Sequence, residues 1–189
     1  MMSSHNNRME LINALLKEYC KDNVKLYHIL YKHSRDVANK ALAIIDNHPE
    51  LNADRFFVEE AAMLHDIGIV ETYAPSIECH GSQPYIRHGI IGASIVQSKG
   101  LYEYSRVCAR HTGTGLTKQE IIAQNLPLPQ MDLVPESIEE QIICFADKFF
   151  SKTKINQEKT VEQVQKSLLK FGERSVQQFN KWCNIFLLK

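Results

Sequence analysis

The sequence lacks the features that mark membrane proteins and general polyanion binders. It has no surplus of either charge, because 22 Lys and Arg residues balance 22 Asp and Glu residues among 189. No overall positive field therefore attracts extended nucleic acid or an anionic membrane. It has no run of about 18 apolar residues, the length that a membrane span needs, and no apolar signal core follows the polar N-terminus. We therefore expect a cytoplasmic protein that binds neither a membrane nor extended nucleic acid.

Cysteine, glycine and proline are also scarce. The five cysteines are widely spaced, odd in number and form no C-x-x-C pair, which indicates reduced thiols and agrees with a cytoplasmic location. With 8 Gly and 6 Pro, the chain has the composition of a globular protein without disordered tracts. Its length suits one hydrophobic core, so we predict a single domain over residues 1–189.

The apolar residues recur at three- and four-residue spacing, and no stretch alternates as in a β-strand, so the predicted fold class is all-α. Helices are predicted over about 6–20, from Asp22 or Asn23 to Asn47, from Asp54 to the tetrad 65–68, and over 102–111. Three further helices are predicted to begin at His88, Thr117 and Ser137. Capping boxes are predicted at Thr117–Glu120 and Ser137–Glu140. Residues 71–87 and 112–135 are predicted loops that shape a substrate mouth.

Residues 160–189 carry an apolar stripe at helical spacing, which Gly172 is predicted to break into two helices. The stripe suits packing against the rest of the chain, and a homodimer interface is the alternative.

The tetrad His65-Asp66-Ile67-Gly68 closes the apolar run 56–64. Glycine readily adopts the left-handed conformation that ends a helix, so Gly68 is predicted to end this helix and to leave His65 and Asp66 in its last turn. Adjacent residues point about 100° apart on a helix, so an imidazole and a carboxylate can approach one ion or two neighbouring ions from different directions. The alternative is an exposed Asp beside a His that complements the helix dipole.

Four further residues lie on apolar helix faces or at helix ends: His33, His88, His111 and Asp147. Asp147 follows Ile, Cys, Phe and Ala, where a carboxylate is costly to bury unless it is paired or bound to a metal. Six such donors in a helical bundle suit one or two divalent transition metals, with Fe, Mn, Co, Ni and Zn as candidates.

This ordered set resembles the HD-domain superfamily of metal-dependent phosphohydrolases and, within it, the HDIG branch. The resemblance rests on His33, on the tetrad with His65 and Asp66, and on Asp147 in Phe-Ala-Asp-Lys. It covers about residues 25–152 and leaves 153–189 as a C-terminal helical extension. It implies an HD-domain-like helical bundle in which these four residues hold one ion.

His88 in Arg-His-Gly-Ile-Ile-Gly-Ala and His111 in Arg-His-Thr-Gly resemble the subset with two metals, which includes bacterial diadenosine tetraphosphate hydrolases and small uncharacterised HDIG proteins. The resemblance implies that His88 and His111 hold a second ion and that Asp66 bridges the two. In many relatives a Lys or Arg follows the tetrad, whereas this chain has Ile69-Val70. The phosphate contacts must then come from elsewhere, or the substrate differs.

Two divalent ions lower the pKa of a bridging water and offset the charge that develops on phosphoryl oxygens. The predicted reaction is hydrolysis of a phosphate ester or phosphoanhydride in a nucleotide-like small molecule by a metal-bridging hydroxide, with Asp66 as the catalytic residue. Candidate substrate contacts are Arg110, Thr112, Gly113 and Lys148, because positive charges and backbone amides bind phosphate.

Two other functions fit the same residues. In related folds that the sequence resembles, the same six-ligand arrangement can hold two irons and activate dioxygen, which would make the protein a di-iron oxygenase. The site can also bind a nucleotide without turnover, as a sensing module.

Overall fold

The computed structural model describes residues 2–188, which form nine α-helices. They are α1 Met2–Cys20, α2 Val24–Asn47, α3 Arg55–Leu64, α4 His88–Ser98, α5 Ser105–Arg110, α6 Lys118–Ala123, α7 Ile138–Asp147, α8 Val161–Leu168 and α9 Glu173–Phe186. Within the predicted loop 71–87, β1 Tyr73–Ala74 and β2 Cys79–His80 pair antiparallel, with Tyr73 opposite His80. These strands have two residues each, so the all-α prediction is confirmed.

Side-chain caps begin most of these helices where the sequence signals them. The side chain of Asn23 accepts a hydrogen bond from Leu26 N, and that of Asp54 accepts from Phe56 N and Phe57 N. The capping box at Thr117 and Glu120 is present. At Ser137 only half of the predicted box forms, because the Glu140 carboxylate accepts from Glu136 N and pairs with Arg106 instead.

The core is built around α2, which packs along α3 and α7. Its buried stripe contains six residues at three- and four-residue spacing, namely Leu26, Leu30, His33, Val37, Ala41 and Ile44. Burying a large apolar side chain contributes roughly 1.5–3 kcal/mol, so this stripe fixes the rotation of α2 about its axis. That rotation points His33 into the interior.

The C-terminal stripe packs against α7 of the same chain. Gly172 separates α8 from α9 with φ of 91°, as predicted. The ring of Phe145 lies 5.1 Å from that of Phe179, and the indole of Trp182 donates a hydrogen bond to Gln141 Oε1. The homodimer stays a prediction, as does the division into one domain.

Gly68 does not end helix α3 in a left-handed conformation, so that prediction is wrong. Helix α3 ends at Leu64, so His65 is its C-cap and Asp66 lies one residue further, where a 3₁₀ turn over Ile67–Glu71 begins. Gly68 lies in this turn without a positive φ. It is a glycine for steric reasons, because a Cβ there would lie 2.0 Å from His88 O and 2.3 Å from Gly92 N.

None of the helices within residues 2–188 is both long enough and apolar enough to cross a membrane.

Candidate metal centre

Five structural elements each bring one or two donors to a common point. His33 lies in the middle of α2, and His65 and Asp66 follow α3 directly. His88 opens α4, His111 follows α5, and Asp147 is the last residue of α7. All six side chains are buried, and His65 and Asp66 have no exposed surface. The fold therefore gathers all six residues that the sequence singles out.

The donor atoms form two groups that share Asp66. The first donor group is His33, His65, Asp66 and Asp147, and the second donor group is Asp66, His88 and His111. All donors of a group lie within 4.8 Å of one another. Asp66 Oδ2 lies 3.0 Å from His33 Nε2 and 3.1 Å from His65 Nε2. Asp66 Oδ1 lies 3.6 Å from His88 Nε2 and 3.4 Å from His111 Nε2. Each oxygen of this carboxylate thus faces one group.

Backbone carbonyls orient three of the imidazoles. His65 Nδ1 donates to Ala62 O at 2.6 Å, His88 Nδ1 to Tyr85 O at 2.7 Å and His111 Nδ1 to Cys108 O at 2.8 Å. A carbonyl oxygen only accepts, so the proton lies on Nδ1 in each ring and Nε2 is turned toward the centre. Such a contact from the far ring nitrogen is typical of metal-binding histidines.

The residues fit divalent cations. Four buried atoms, His33 Nε2, His65 Nε2 and both oxygens of Asp66, have no aligned hydrogen-bond partner, although their neighbours are close. The Nε2 atoms of His88 and His111 face each other at 3.0 Å, and in the neutral tautomers both present lone pairs. Buried polar atoms are nearly always satisfied, and a divalent ion with mixed nitrogen and oxygen ligands would satisfy this set.

The pKa values of the two aspartates also support a site for divalent cations. Burial raises the pKa of Asp66, but the charges of Lys152 and His65 outweigh it and hold that pKa well below its usual range. Burial is likewise outweighed at Asp147, where Lys148 and His33 keep the carboxyl pKa well below its usual range. Both carboxylates are therefore ionised, which is the form that binds metal.

The pKa values of His88 and His111 are shifted in the opposite direction from that of His65. Burial, with His111 alongside, lowers the pKa of His88 to about 3, and burial also lowers the pKa of His111. Burial lowers the pKa of His65 too, but Asp66 and Asp147 outweigh it and raise that pKa to about 9. Ion binding at the first group is therefore expected to release a proton.

A cavity of about 630 Å³ opens beside the donors and reaches His88, His111 and Asp147. This volume is typical of small-molecule sites. The cavity is lined by parts of the predicted mouth loops, including Tyr85 and Thr112, and by the segment 147–171. Among the described residues that line it, Asp147 supplies the single carboxylate, whereas four lysines supply positive charge: Lys148, Lys152, Lys159 and Lys170.

The structure brings three of the four predicted substrate contacts to the cavity. Thr112, Gly113 and Lys148 line it. Arg110 does not, because its guanidinium turns away to pair with Glu136 at 3.1 Å and Glu140 at 3.3 Å. Because Arg110 precedes His111 by one position, its side chain points to the other side of the helix end, where it meets two carboxylates.

Sequence reasoning missed Lys152, whose ammonium lies 2.5 Å from Asp66 Oδ2. Apart from Asp147 and Lys148, it also assigned no residue of the segment 147–171 to the cavity. The available signal was the lysine-rich stretch that directly follows Asp147, with Lys148, Lys152, Lys154 and Lys159. Segments that follow a buried acid at a helix end are well placed to contact the same site.

The fold and the site define an all-α protein with a buried His and Asp cluster that could hold divalent metals. The chain belongs to the HD-domain family, whose model matches residues 30–151.

The chain spans less than half the length of two of the curated relatives that it matches. It is 37% identical over 128 residues to the tRNA (cytidine(56)-2'-O)-methyltransferase of Picrophilus torridus, covering 67% of this chain and 33% of that protein. It is 28% identical over 155 residues to the enzyme of the same name from Thermoplasma volcanium, covering 81% of this chain and 41% of that protein. It is 35% identical over 142 residues to an uncharacterized protein of Methanocaldococcus jannaschii, covering 75% of this chain and 74% of that protein.

Solved structures share the fold. The HD domain of the L. monocytogenes phosphodiesterase PgpH is 18% identical with a TM-score of 0.54, covering 88% of this chain and 93% of that chain. The same domain in complex with cyclic-di-AMP has a TM-score of 0.53 at 18% identity, covering 93% of this chain and 98% of that chain. At this identity the likeness concerns the fold alone.

Proposed function

We infer that the protein is a metal-dependent phosphohydrolase that cleaves a phosphate ester or phosphoanhydride of a nucleotide-like small molecule. The observation that carries this inference is the double donor group, in which the two oxygens of Asp66 face different histidines. His33, His65, Asp66 and Asp147 would hold one divalent ion, and Asp66, His88 and His111 a second. Such ions, when bound, supply an activated water and offset the charge of the phosphoryl oxygens.

The chain's own groups would position the substrate. Lys148 holds Asp147 with its ammonium, which lies 2.7 Å from Oδ2, and donates to His111 O at 2.8 Å. It therefore keeps two neighbouring ligand residues in place, and it also lines the cavity. Lys159, Lys170 and the backbone at Thr112 and Gly113 add positive charge and amide donors for phosphate.

The rest of the cavity supports a substrate with an apolar or aromatic part. Tyr85, Leu126, Phe150, Leu168 and Phe171 line it, and such side chains can stack on or enclose a nucleobase. The fold relative that binds cyclic-di-AMP supports a nucleotide-like ligand in the same way. The phosphate contact that Ile69-Val70 cannot make would be replaced here by lysines from the segment 147–171.

Methyl transfer is not part of this proposal. The chain spans only 33% and 41% of the two methyltransferases that it matches, and its residues form a cluster suited to metals. The names of those two relatives are the reason to include a tRNA-derived fragment in the substrate screen.

The test is a phosphate-release screen with tag-free protein loaded with Mn²⁺ or, in parallel, with Fe²⁺, run with and without oxygen. Its substrates are nucleoside mono-, di- and triphosphates, cyclic dinucleotides, dinucleoside polyphosphates, a tRNA 3′ fragment and non-nucleotide phosphate esters. We expect phosphate release from a nucleotide, equal in the two atmospheres. Oxygen consumption without phosphate release would favour the di-iron oxygenase, and tight nucleotide binding without either would favour the sensing module.

The second ion has a direct test. Elemental analysis should find about two metal ions per chain in the natural protein and about one in the double variant His88→Ala plus His111→Ala. The reason is that one group loses two of its three donors. The matched control is His28→Ala plus His80→Ala, which removes two exposed histidines and should leave the metal content unchanged. One ion or none in the natural protein, unchanged in the double variant, would refute a second site.

A further inference from the structure

Lys152 makes a contact that the proposed reaction does not explain. It belongs to the irregular segment between α7 and α8, and its side chain is 13% exposed. Its ammonium lies 2.5 Å from Asp66 Oδ2, the oxygen that also lies 3.0 Å from His33 Nε2 and 3.1 Å from His65 Nε2. Lys152 thus binds the oxygen that the first donor group would offer to an ion.

Lys148 provides an informative contrast. It contacts Oδ2 of Asp147, whereas the donor group approaches the other oxygen, with His33 Nε2 at 3.0 Å from Oδ1. Lys148 can therefore keep its place when an ion binds. Lys152 and a divalent ion would be two cations at one buried carboxylate oxygen, where repulsion is strong. Lys152 is therefore the lysine that must move.

The cavity is the place to which Lys152 can move. Lys152 already lines it, next to Ser151, Thr153 and Tyr85. Its four-carbon stem is flexible and its ammonium is a compact point charge, so a small rotation of the side chain carries the charge from Asp66 toward the position of a bound anion.

We propose that Lys152 exchanges partners, pairing with Asp66 before a divalent ion binds at the first donor group and with a substrate phosphate afterwards. This inference rests on the proposed function. It makes ion and phosphate binding cooperative, because an ion releases Lys152 for the phosphate and a phosphate draws Lys152 away from Asp66. Coupling of this kind is reciprocal.

The experiment measures Mn²⁺ affinity by calorimetry, with and without inorganic phosphate, after treatment with a chelator. The variant is Lys152→Met, which keeps a flexible stem without charge. The control is Lys154→Met, an exposed lysine in the same segment. Without phosphate, Lys152→Met is expected to bind Mn²⁺ about tenfold more tightly than the natural protein, because no ion pair with Asp66 has to be broken first. Phosphate should raise the Mn²⁺ affinity by a larger factor in the natural protein than in Lys152→Met.

A second readout separates this role from a structural one. Without Mn²⁺, Lys152→Met should melt below the natural protein because Asp66 loses its partner, and saturating Mn²⁺ should remove the difference. Where Lys152→Met does not fold, Lys152→Gln takes its place. Equal or weaker Mn²⁺ affinity in the Lys152 variant than in Lys154→Met would overturn the exchange while leaving the metal site standing. Absence of Mn²⁺ binding in every protein tested would instead refute the proposed function and this inference with it.

Discussion

Replacement of Asp66 by Asn is expected to lower phosphate release by at least about 10³-fold, since metal ions supply several kcal/mol of transition-state stabilisation and each 1.4 kcal/mol is a factor of about ten. The two oxygens of this carboxylate face different donor groups, His33 and His65 on one side and His88 and His111 on the other. A neutral amide of nearly the same shape offers one oxygen and no charge. Both ions should therefore be lost together, unlike in the double histidine variant, which should keep one.

The measurement combines elemental analysis with initial rates on the substrate that the screen identifies. Asp46→Asn is the matched control, because that carboxylate is on the surface and pairs only with Arg55 among the described residues. A circular dichroism melt accompanies both, since the neutral amide in Asp66→Asn would leave Lys152 without a charged partner. A folded Asp66→Asn protein that retains two ions and normal turnover would contradict the bridging role.

Substitution of Gly68 by Ala is expected to destabilise the protein by about 3 kcal/mol, the upper end of the roughly 1–3 kcal/mol that overpacking costs through off-rotamer side chains and backbone shifts. Here the new Cβ would lie 2.0 Å from His88 O and 2.3 Å from Gly92 N, and both are backbone atoms that cannot move aside. The turn 67–71 and α4 would have to separate. Since α4 begins at His88, that separation would also pull His88 away from Asp66.

Denaturant unfolding measures the loss of stability, and Mn²⁺ binding measures the loss of the second site in any protein that still folds. Gly92→Ala is the control from the opposite side of the same interface. Its added Cβ would meet atoms no closer than 3.3 Å, and alanine favours a helix interior over glycine by about 1 kcal/mol, so its stability should change by less than about 1 kcal/mol. Similar stabilities for Gly68→Ala and Gly92→Ala would show that the close approach at Gly68 is not required.

Local signals in the sequence predicted the helices well, because caps and apolar stripes act between residues a few positions apart. Asp54 and Thr117 cap α3 and α6 as predicted, and His33 lies on the buried stripe of α2. The candidate ligands stood out for a similar reason. A histidine or aspartate on an apolar face must find a partner inside the protein, so its local context already suggests a buried polar site.

The tertiary structure decided how that site is surrounded. Arg110 and Lys152 look alike in the sequence, each a basic residue near a proposed ligand, yet Arg110 pairs with Glu136 and Glu140 outside the cavity while Lys152 reaches Asp66. Which partner a long charged side chain finds depends on the path of distant segments. Gly68 shows the same dependence, because its lack of a Cβ matters only where α4 crosses it.

The sequence by itself therefore determined the all-α class and the starts of most helices, since each depends on burial or capping that nearby residues specify. Together with the family resemblance, it also singled out the six candidate ligands. The tertiary structure alone decided that the two oxygens of Asp66 face different groups, that the segment 147–171 forms a lysine-rich wall, and that Lys152 shares an oxygen with the first group. These contacts join residues that are far apart in the chain, and their geometry follows from helix packing, which no local pattern encodes.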